Sequence, residues 1–410
     1  MPRGNDTQAD RLRDFRRSRG LTQEGLAQRA GLSLGVIKKI ERGGTARIET
    51  YHALARALKV RTSALFEPGS PHSTLRDDGD KMTLMLMRQA VAPPITVSGR
   101  PGLGDSIAVD PDLRHLRRTA DALAKSYYRD DYGQVADLLP ALVRSTGIAL
   151  EYFDGGPEHT EALKLRADVL QMAGRYLTQV RAYDLAQLAL RDAVQDAAAA
   201  ADRTGAASAI YLQGWTLVRQ GRLDEAEQLA VVTADEIEPR ISRASQKELG
   251  VWGRLLIRAS SAAARNNRAR EAREVLRLAR TAGAALGGST ATELCSWGRF
   301  NWSAVAFQAV ENQLVAEKPD RVLGLAARIP KSATATSNTW NRHMLDVAQA
   351  HAMLRHSDEA TGLLAGLHEQ APEWLRHQRL ATETFQTVLR SNKRRLTRQQ
   401  RDLARFFAIT

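Results

Sequence analysis

The feature that most constrains the fold is a helical unit that recurs along residues 112–410. Its clearest copy, residues 208–226, is a helix with a small residue at Gly214, a Gly-centred turn and a second helix opened by Asp-Glu-Ala. Further copies occupy residues 170–186 and 344–360, and weaker ones centre on positions 135, 272 and 322. The starts of the second helices lie 38 to 51 residues apart. The pattern therefore predicts a succession of helical hairpins over most of the chain.

A lone hairpin cannot bury its apolar face, so such units are stable only when they stack. Gly214 is expected where paired helices cross, because a larger side chain would hold the helices apart. The pattern resembles the tetratricopeptide (TPR) repeat, whose standard length is about 34 residues, and the longer spacing predicts extended helices or loops. We expect an all-α fold in which residues 112–410 form a TPR-like α-solenoid of about six helical hairpins. Two last helices, near 374–390 and 397–408, would cap the stack.

A stack of hairpins has a concave face that is lined mainly by the first helix of each hairpin. Arg, Gln and aromatic side chains on that face can take the carboxylate of a peptide, pair with its backbone and pack its side chains. The alternative is that they only solvate an open groove. Segment 295–303 is rich in Trp and fits the repeat poorly, so it either fills the core or lines the groove mouth. The predicted ligand-binding residues are Gln171, Arg175, Gln179, Tyr211, Trp215, Arg219, Arg254, Arg258, Asn301, Arg342 and Gln349.

Positive charge is concentrated at the N-terminal end of the chain. The net charge is +13, and residues 1–66 hold 14 Lys and Arg against 6 Asp and Glu, a balance of +8. A compact basic module suits a polyanion such as DNA, although solubilising charge would give the same balance. Thr22 and Ser33 are placed to cap two short helices joined by a tight turn at residues 31–33. Two helices with such a turn are the signature of a helix-turn-helix.

Residues 20–33, GLTQEGLAQRAGLS, and 37–43, IKKIERG, resemble the phage-repressor-like (XRE) helix-turn-helix family, as does the ending at 51–66. The resemblance implies a five-helix domain over residues 8–66 whose recognition helix enters the major groove of DNA. It implies that Gln23 binds a DNA phosphate and that the loop residues Arg42, Gly43 and Arg47 contact the DNA backbone. The residues that it implies read the bases are Ser33, Leu34, Gly35, Lys38 and Lys39.

Residues 67–111 hold six of the 13 prolines together with clustered glycines, which is typical of a linker. An apolar island at 81–91 interrupts this composition. We expect it to form a short docking helix, and a strand is the alternative. The domains are therefore expected at 8–66, 67–111 and 112–410.

The whole organisation resembles the RRNPP group of quorum-sensing regulators, and still more the helix-turn-helix/TPR regulators of actinobacteria. This resemblance implies a homodimeric transcriptional regulator that binds a two-fold related site on double-stranded DNA. It also implies that the TPR groove binds a signalling peptide or a small-molecule effector. The alternative is a regulator whose TPR domain is a protein–protein interaction scaffold without a small effector. Dimerisation is expected through the helical region, with the C-terminal helices as first candidates.

No motif of an enzyme is found: no Walker loop, His-Glu-x-x-His, nucleophile elbow or paired cysteines. Cys295 is the single cysteine, which argues against a disulfide framework or a cysteine-based zinc site. Only His343 with Asp346 has a spacing that shares a helix face, and His351 occupies a repeat position that is usually core. We therefore expect no enzymatic activity, no cofactor and no metal. Lacking a signal peptide and an apolar run near the ~20 residues that span a bilayer, the chain is expected to be cytoplasmic, without membrane contact.

Overall fold

The computed structural model describes residues 8–44, 46, 50, 53–54, 57–58, 60, 65, 78–97, 110–287, 300–330, 337–391 and 395–409. These residues form helices, turns and isolated bridges, with no longer strand among them. They fall into two compact units, divided after Lys81. The all-α class is confirmed, and none of the described helices is long and apolar enough to cross a membrane.

The first unit is built around three short helices: α1 (Gln8–Ser18), α2 (Gln23–Ala30) and α3 (Leu34–Glu41). Thr22 begins α2 as predicted, since its hydroxyl accepts a hydrogen bond from Gly25 N at 3.0 Å. Gly31 ends α2 with φ +67°, a conformation that glycine adopts without strain. Ser33 occupies the N-cap position of α3, but its side chain makes no capping bond, so the predicted cap is wrong in this detail.

The core of this unit joins the three helices to residues further along the chain. Leu12, Leu26, Ile37 and Ile40 are buried together. Leu54, Leu58 and Leu65 belong to the same cluster. The two further helices expected near 48–58 and 62–66 fall largely outside the described residues.

The apolar island is a helix, α4 (Asp78–Val91), as predicted.

The described residues from 110 onwards contain six helical hairpins, in agreement with the prediction of about six. Each second helix begins within a few residues of the position predicted from the repeat pattern, which is 135, 186, 226, 272, 322 or 360. The pairs are α5 (Leu113–Tyr128) with α6 (Tyr132–Tyr152), α7 (Gly156–Gln179) with α8 (Tyr183–Ala199), α9 (Arg203–Gln220) with α10 (Leu223–Glu236), α11 (Gln246–Arg265) with α12 (Ala269–Ala285), α13 (Trp302–Val315) with α14 (Pro319–Ala326), and α15 (Ser337–Met353) with α16 (Ser357–Gln370). The first helices of neighbouring hairpins pack on one another from α5 to α15.

The turn inside each hairpin has a common backbone solution. One residue in the left-handed region lies two positions before the second helix, which lets the chain reverse within three residues. Only one of the six is a glycine. They are Asp130 (φ 64°), Arg181 (65°), Gly221 (78°), Asn267 (58°), Glu317 (53°) and Arg355 (63°).

Small residues do allow close packing, though not always between the predicted partners. A Cβ added at Gly174 would overlap the side chain of Leu190, so the glycine brings α7 against α8. At Gly214 the nearest atom is instead Cγ of Arg258, 2.8 Å from the added Cβ. The glycine predicted for the crossing within its hairpin thus makes room for a long side chain from the next hairpin.

The end of the chain closes the stack with three helices rather than two: α17 (Pro372–Arg376), α18 (Arg379–Ser391) and α19 (Arg398–Phe406). Leu403 is buried, and the ring of Phe406 lies 4.3 Å from that of His368 on α16. Much of the apolar surface expected to mediate dimerisation is therefore used to cap the last hairpin.

Candidate DNA-binding surface and effector groove

The predicted DNA-reading residues share the outer face of α3 and the loop that follows it. Ser33, Gly35 and Lys39 are exposed, and Leu34 and Lys38 are half-buried. Arg42 and Gly43 are also exposed, while Arg47 lies outside the described residues. Ile37 and Ile40 fill the opposite face and fix α3 to the core. The arrangement presents two lysines on a rigid helix, as reading of the major groove requires.

Glu41 holds the three helices together from the last turn of α3. Its side chain, 4% exposed, accepts hydrogen bonds from Arg16 Nε at 2.7 Å and Nη2 at 3.1 Å. It also accepts one from Gln23 Nε2 at 2.7 Å, and its carbonyl accepts one from Arg13 Nη2 at 2.7 Å. Burial alone would raise the pKa of Glu41, but these hydrogen bonds and the charges of Arg16 and Arg13 outweigh it, so the pKa is lowered. We call Glu41 with its three partners the Glu41 hub.

The hub changes the interpretation of Gln23. The resemblance assigned it to a DNA phosphate, yet its amide nitrogen is bound to Glu41 in the protein alone. An amide has two N–H groups, so Gln23 can serve both partners. Sequence analysis did not single out Glu41, although it lies in segment 37–43, because the three residues that bind it stand 18 to 28 residues earlier in the chain.

In the second unit, Tyr211 of α9 lies against two arginines of α11. The guanidinium carbon of Arg254 is 4.1 Å from the centre of the Tyr211 ring, and that of Arg258 is 4.7 Å away. Such cation–π contacts contribute about 0.5–2 kcal/mol each. Burial would raise the pKa of Tyr211, but the charges of Arg258, Arg254 and Arg175 lower it to about 8. The three predicted groove residues Tyr211, Arg254 and Arg258 are thus brought together.

Arg175 of α7 extends this group towards α5. Its Nη1 donates to the hydroxyl of Tyr128 at 3.0 Å, and its guanidinium lies 5.7 Å from the Tyr127 ring. Gln171, one helical turn earlier, is 0% exposed, and neither its amide nitrogen nor its oxygen has a hydrogen-bond partner. We call Gln171, Arg175, Tyr211, Arg254 and Arg258 the Tyr211 cluster.

A second charged group lies further along the first helices. Arg265 of α11 binds Glu311 of α13 at 2.5 Å, and Arg342 of α15 binds Asp346 at 3.1 Å. Arg342 also lies 3.6 Å from Glu311, so two arginines and two carboxylates are interleaved. Burial raises the pKa of Asp346 to about 7, whereas for Glu311 the effect of burial is outweighed by Arg265 and Arg342 and the pKa falls to about 2. We call these four residues the mixed-charge cluster.

Other predicted groove residues have different surroundings. Asn301 caps α13, since its Oδ1 accepts from Ser303 N at 3.0 Å, so its side chain serves the helix start rather than a ligand. Gln349 accepts a hydrogen bond from Thr384 of α18 at 2.6 Å. Gln179 at the end of α7 is buried, and Trp215 and Arg219 of α9 are half-buried.

The histidines behave as structural residues. His343 does not pair with Asp346; its ring lies 4.7 Å from Phe307, and burial lowers its pKa to about 4. His351 is only half-buried and faces His356, with 3.3 Å between their Nδ1 atoms. Among the described residues no group of three or more His, Cys, Asp or Glu side chains could hold a metal ion.

Sequence reasoning missed Tyr128 and Glu311, which complete the two clusters. Tyr128 stands at the end of the first helix of its hairpin, in the weakest part of the repeat pattern. Glu311 follows the irregular segment 295–303, where the register of the repeat was lost. A signal was available in each case, because both residues lie on first helices, the helices that line the concave face.

Comparison with known proteins supports the first unit. A family model described as Helix-turn-helix matches residues 12–65. Residues 12–65 therefore form a helix-turn-helix domain, of the XRE type expected from the sequence.

Among solved structures, the chain is similar to PlcR of Bacillus thuringiensis in a crystal structure with the peptide PapR7 and DNA. The identity is 11% and the TM-score 0.34, with 86% of this chain and 99% of the PlcR chain covered. No curated protein matches the chain.

Proposed function

We propose that this protein is a dimeric transcriptional regulator that reads DNA with α3 and responds to an effector bound along the first helices of its hairpins. The observation that carries the DNA half is the exposed face of α3, which presents Lys38 and Lys39 while the Glu41 hub fixes the helix. Lys can donate to O6 and N7 of guanine in the major groove. Ser33, Leu34 and Gly35 lie at the start of the same helix, where base contacts are made in this class of domain.

Selection from a random pool of double-stranded DNA tests this proposal. We expect an enriched motif with two-fold related half-sites about one helical turn, ~34–36 Å, apart or a multiple of it. On that motif, Lys39→Ala is expected to weaken binding by about 1–3 kcal/mol and to relax the preference at one position. Arg17→Ala is the matched control, because Arg17 is an exposed cation on α1. If Lys39→Ala binds the motif and scrambled DNA with the same affinities as Arg17→Ala does, α3 is not the reading helix.

The dimer follows from the two-fold symmetry of such sites. Light scattering of the full chain is expected to give twice the chain mass of 45.1 kDa. A monomer at micromolar concentration, both free and on the selected DNA, would reject this part.

The effector half is supported by the Tyr211 cluster, in which polar atoms of Gln171, Arg254 and Arg258 are buried without hydrogen-bond partners. Groups of this kind are costly to bury unless a ligand pairs with them. Native mass spectrometry of protein purified from its source, with and without spent medium, would show an added small mass. A bound protein instead of a small mass would favour the scaffold alternative.

A further inference from the structure

The Tyr211 cluster carries positive charge that the protein does not neutralise. Arg254 is 5% and Arg258 8% exposed, yet Arg254 Nη1 and Arg258 Nε have no hydrogen-bond partner. Within the described part of the chain, neither of them nor Arg175 forms an ion pair with a carboxylate within 4.0 Å. Their partners are tyrosines. Arg254 and Arg258 lie over the Tyr211 ring, Arg254 also forms a hydrogen bond with Tyr211, and Arg175 donates to the hydroxyl of Tyr128. Neutral tyrosines compensate a buried cation only in part.

The mixed-charge cluster shows that the same helices can supply carboxylates where charge is balanced. Arg265 stands on α11 with Arg254 and Arg258, and Glu311 pairs with it at 2.5 Å. Arg258 and Arg254 lie about two and three turns earlier on the same helix, and among the described residues neither has a carboxylate within 4.0 Å. Glu311 acts on Arg258 only at longer range, while it is paired with Arg265. The positive field there is strong enough to lower the pKa of Tyr211 despite its burial. The imbalance is therefore local to the Tyr211 cluster.

The donors around Tyr211 come from two helices. Arg175 and Gln171 lie one turn apart on α7, so they share a face. Arg254 and Arg258 lie one turn apart on α11, and the stem of Arg258 passes over Gly214 of α9. Arg175 is held at one end by the hydroxyl of Tyr128. Guanidinium groups presented in this way match the geometry of a carboxylate or a phosphate, each of which can accept paired N–H bonds.

We infer that the Tyr211 cluster binds an anionic group of the effector, a carboxylate or a phosphate, through Arg254 and Arg258 of α11 together with Arg175 of α7. This rests on the proposed function, since it names the chemistry of the group that the groove receives. Gln171 supplies an uncharged donor and acceptor beside the anion. The mixed-charge cluster, whose two arginines are already paired with Glu311 and Asp346, takes no part in holding the anion.

Isothermal titration of the full chain with three simple probes tests the inference. The probes are inorganic phosphate, trialanine with a free C-terminal carboxylate, and trialanine amide. We expect phosphate or free trialanine to bind and the amide to bind at least tenfold more weakly than free trialanine. Binding of phosphate alone would assign the group to a phosphate, and preference for the free peptide would assign it to a terminal carboxylate. Absence of binding by both anions at millimolar concentration would overturn the inference.

Variants localise the binding. Arg254→Gln with Arg258→Gln is expected to lower anion affinity at least tenfold, whereas Arg280→Gln, an exposed arginine of α12, leaves it unchanged. Should the double variant fail to fold, Arg254→Gln alone repeats the test and keeps the Arg258 stem over Gly214. Equal anion affinity in the parent and these variants would place the anion elsewhere and refute the proposal.

Tyrosinate absorbance gives an independent readout. A bound anion offsets the arginine charges, so it should raise the pH at which Tyr211 ionises, and Tyr211→Phe should remove that signal. The charges that face Tyr211 are those of Arg175 on α7 and of Arg254 and Arg258 on α11. An unchanged titration with saturating anion would contradict the inference.

Failure of this inference can be told from failure of the proposed function. If anions bind at the cluster but do not change DNA affinity, the anion site stands and the effector role fails. If a native effector changes DNA affinity equally in the parent and in the double variant, the effector role stands and the anion site fails.

Discussion

Replacement of Glu41 by alanine is expected to unfold the helix-turn-helix domain without touching a DNA-reading residue. The change removes the acceptor for three hydrogen bonds from Arg16 and Gln23, at 2.7 to 3.1 Å. It leaves the guanidinium of Arg16, 12% exposed, without its carboxylate. Removing one partner of a buried pair costs about 3–5 kcal/mol. The lower end applies, because Arg16 Nη1 keeps its bond to Leu21 O at 2.9 Å.

That cost is comparable with the whole stability of the domain. The match to the helix-turn-helix family covers residues 12–65, and at about 0.05–0.15 kcal/mol per residue such a domain has ~3–8 kcal/mol in total. We therefore expect Glu41→Ala to leave a large fraction of the N-terminal unit unfolded at room temperature. DNA binding should fall in proportion to the folded fraction, on specific and scrambled sequences alike.

The chain offers a clean assay for this. All six tryptophans lie at or after residue 215, so tryptophan fluorescence follows the hairpins, whereas far-ultraviolet circular dichroism follows every helix. Glu41→Ala should add an early dichroism transition and leave the fluorescence melt in place. Asp14→Asn, an exposed acid on α1, is the control and should change neither. If Glu41→Ala melts like the parent in both signals and binds DNA equally, the hub does not hold the domain.

Three further predictions concern pH, packing and turns. Because the pKa of Glu41 is lowered by folding, its stabilisation is present above about pH 4.3 and is lost as the pH falls through the folded pKa; Glu41→Gln should lack this part of the acid sensitivity of the early transition. Gly174→Ala should lower the free energy of unfolding by about 1–3 kcal/mol through overpacking, whereas Gly147→Ala, with open space around its Cβ, should be neutral or stabilising in the same fluorescence melt. Arg355→Gly should stabilise by about 0.5–1 kcal/mol, since Arg355 has φ +63°, and Gly221→Ala should destabilise by a similar amount in chemical denaturation.

The hairpins were predictable because their signals are local. The Asp-Glu-Ala sequence that opens α10 and α16 occupies three consecutive positions. In both hairpins it follows a helix that contains small and large apolar residues. The same locality made Thr22 and the turn at 31–33 recognisable, because a cap and a glycine turn involve neighbours in sequence. One helix was predicted near residues 374–390, but the helix is interrupted at residues 377–378, between α17 and α18. No proline or glycine marks that break, so no local signal was available.

The side-chain partners were less predictable because they depend on how neighbouring hairpins are offset. Gly214 was assigned to its own hairpin, yet the atom nearest to it belongs to Arg258 of the next one. With second helices 38 to 51 residues apart, position-matching carries an uncertain register from one hairpin to the next. Position-matching placed Arg175, Tyr211 and Arg254 on the same face, and these three side chains do lie close together in the structure. It also assigned Asn301 to the groove, whereas the Asn301 side chain caps α13.

The two polar centres of the molecule differ in a way that indicates what each is for. In the Glu41 hub, one carboxylate is surrounded by enough donors from α1 and α2 to satisfy it, and the result is a fixed orientation of α3. In the Tyr211 cluster, cations from α7 and α11 converge on a neutral ring without an acid. A buried ion pair with both partners present stabilises one conformation. Buried cations without a carboxylate partner are stabilised instead by a ligand that supplies the negative charge. An anion bound between α7 and α11 would link the two hairpins that flank the α9–α10 hairpin. Binding of the ligand would therefore stabilise one arrangement of these three hairpins over others.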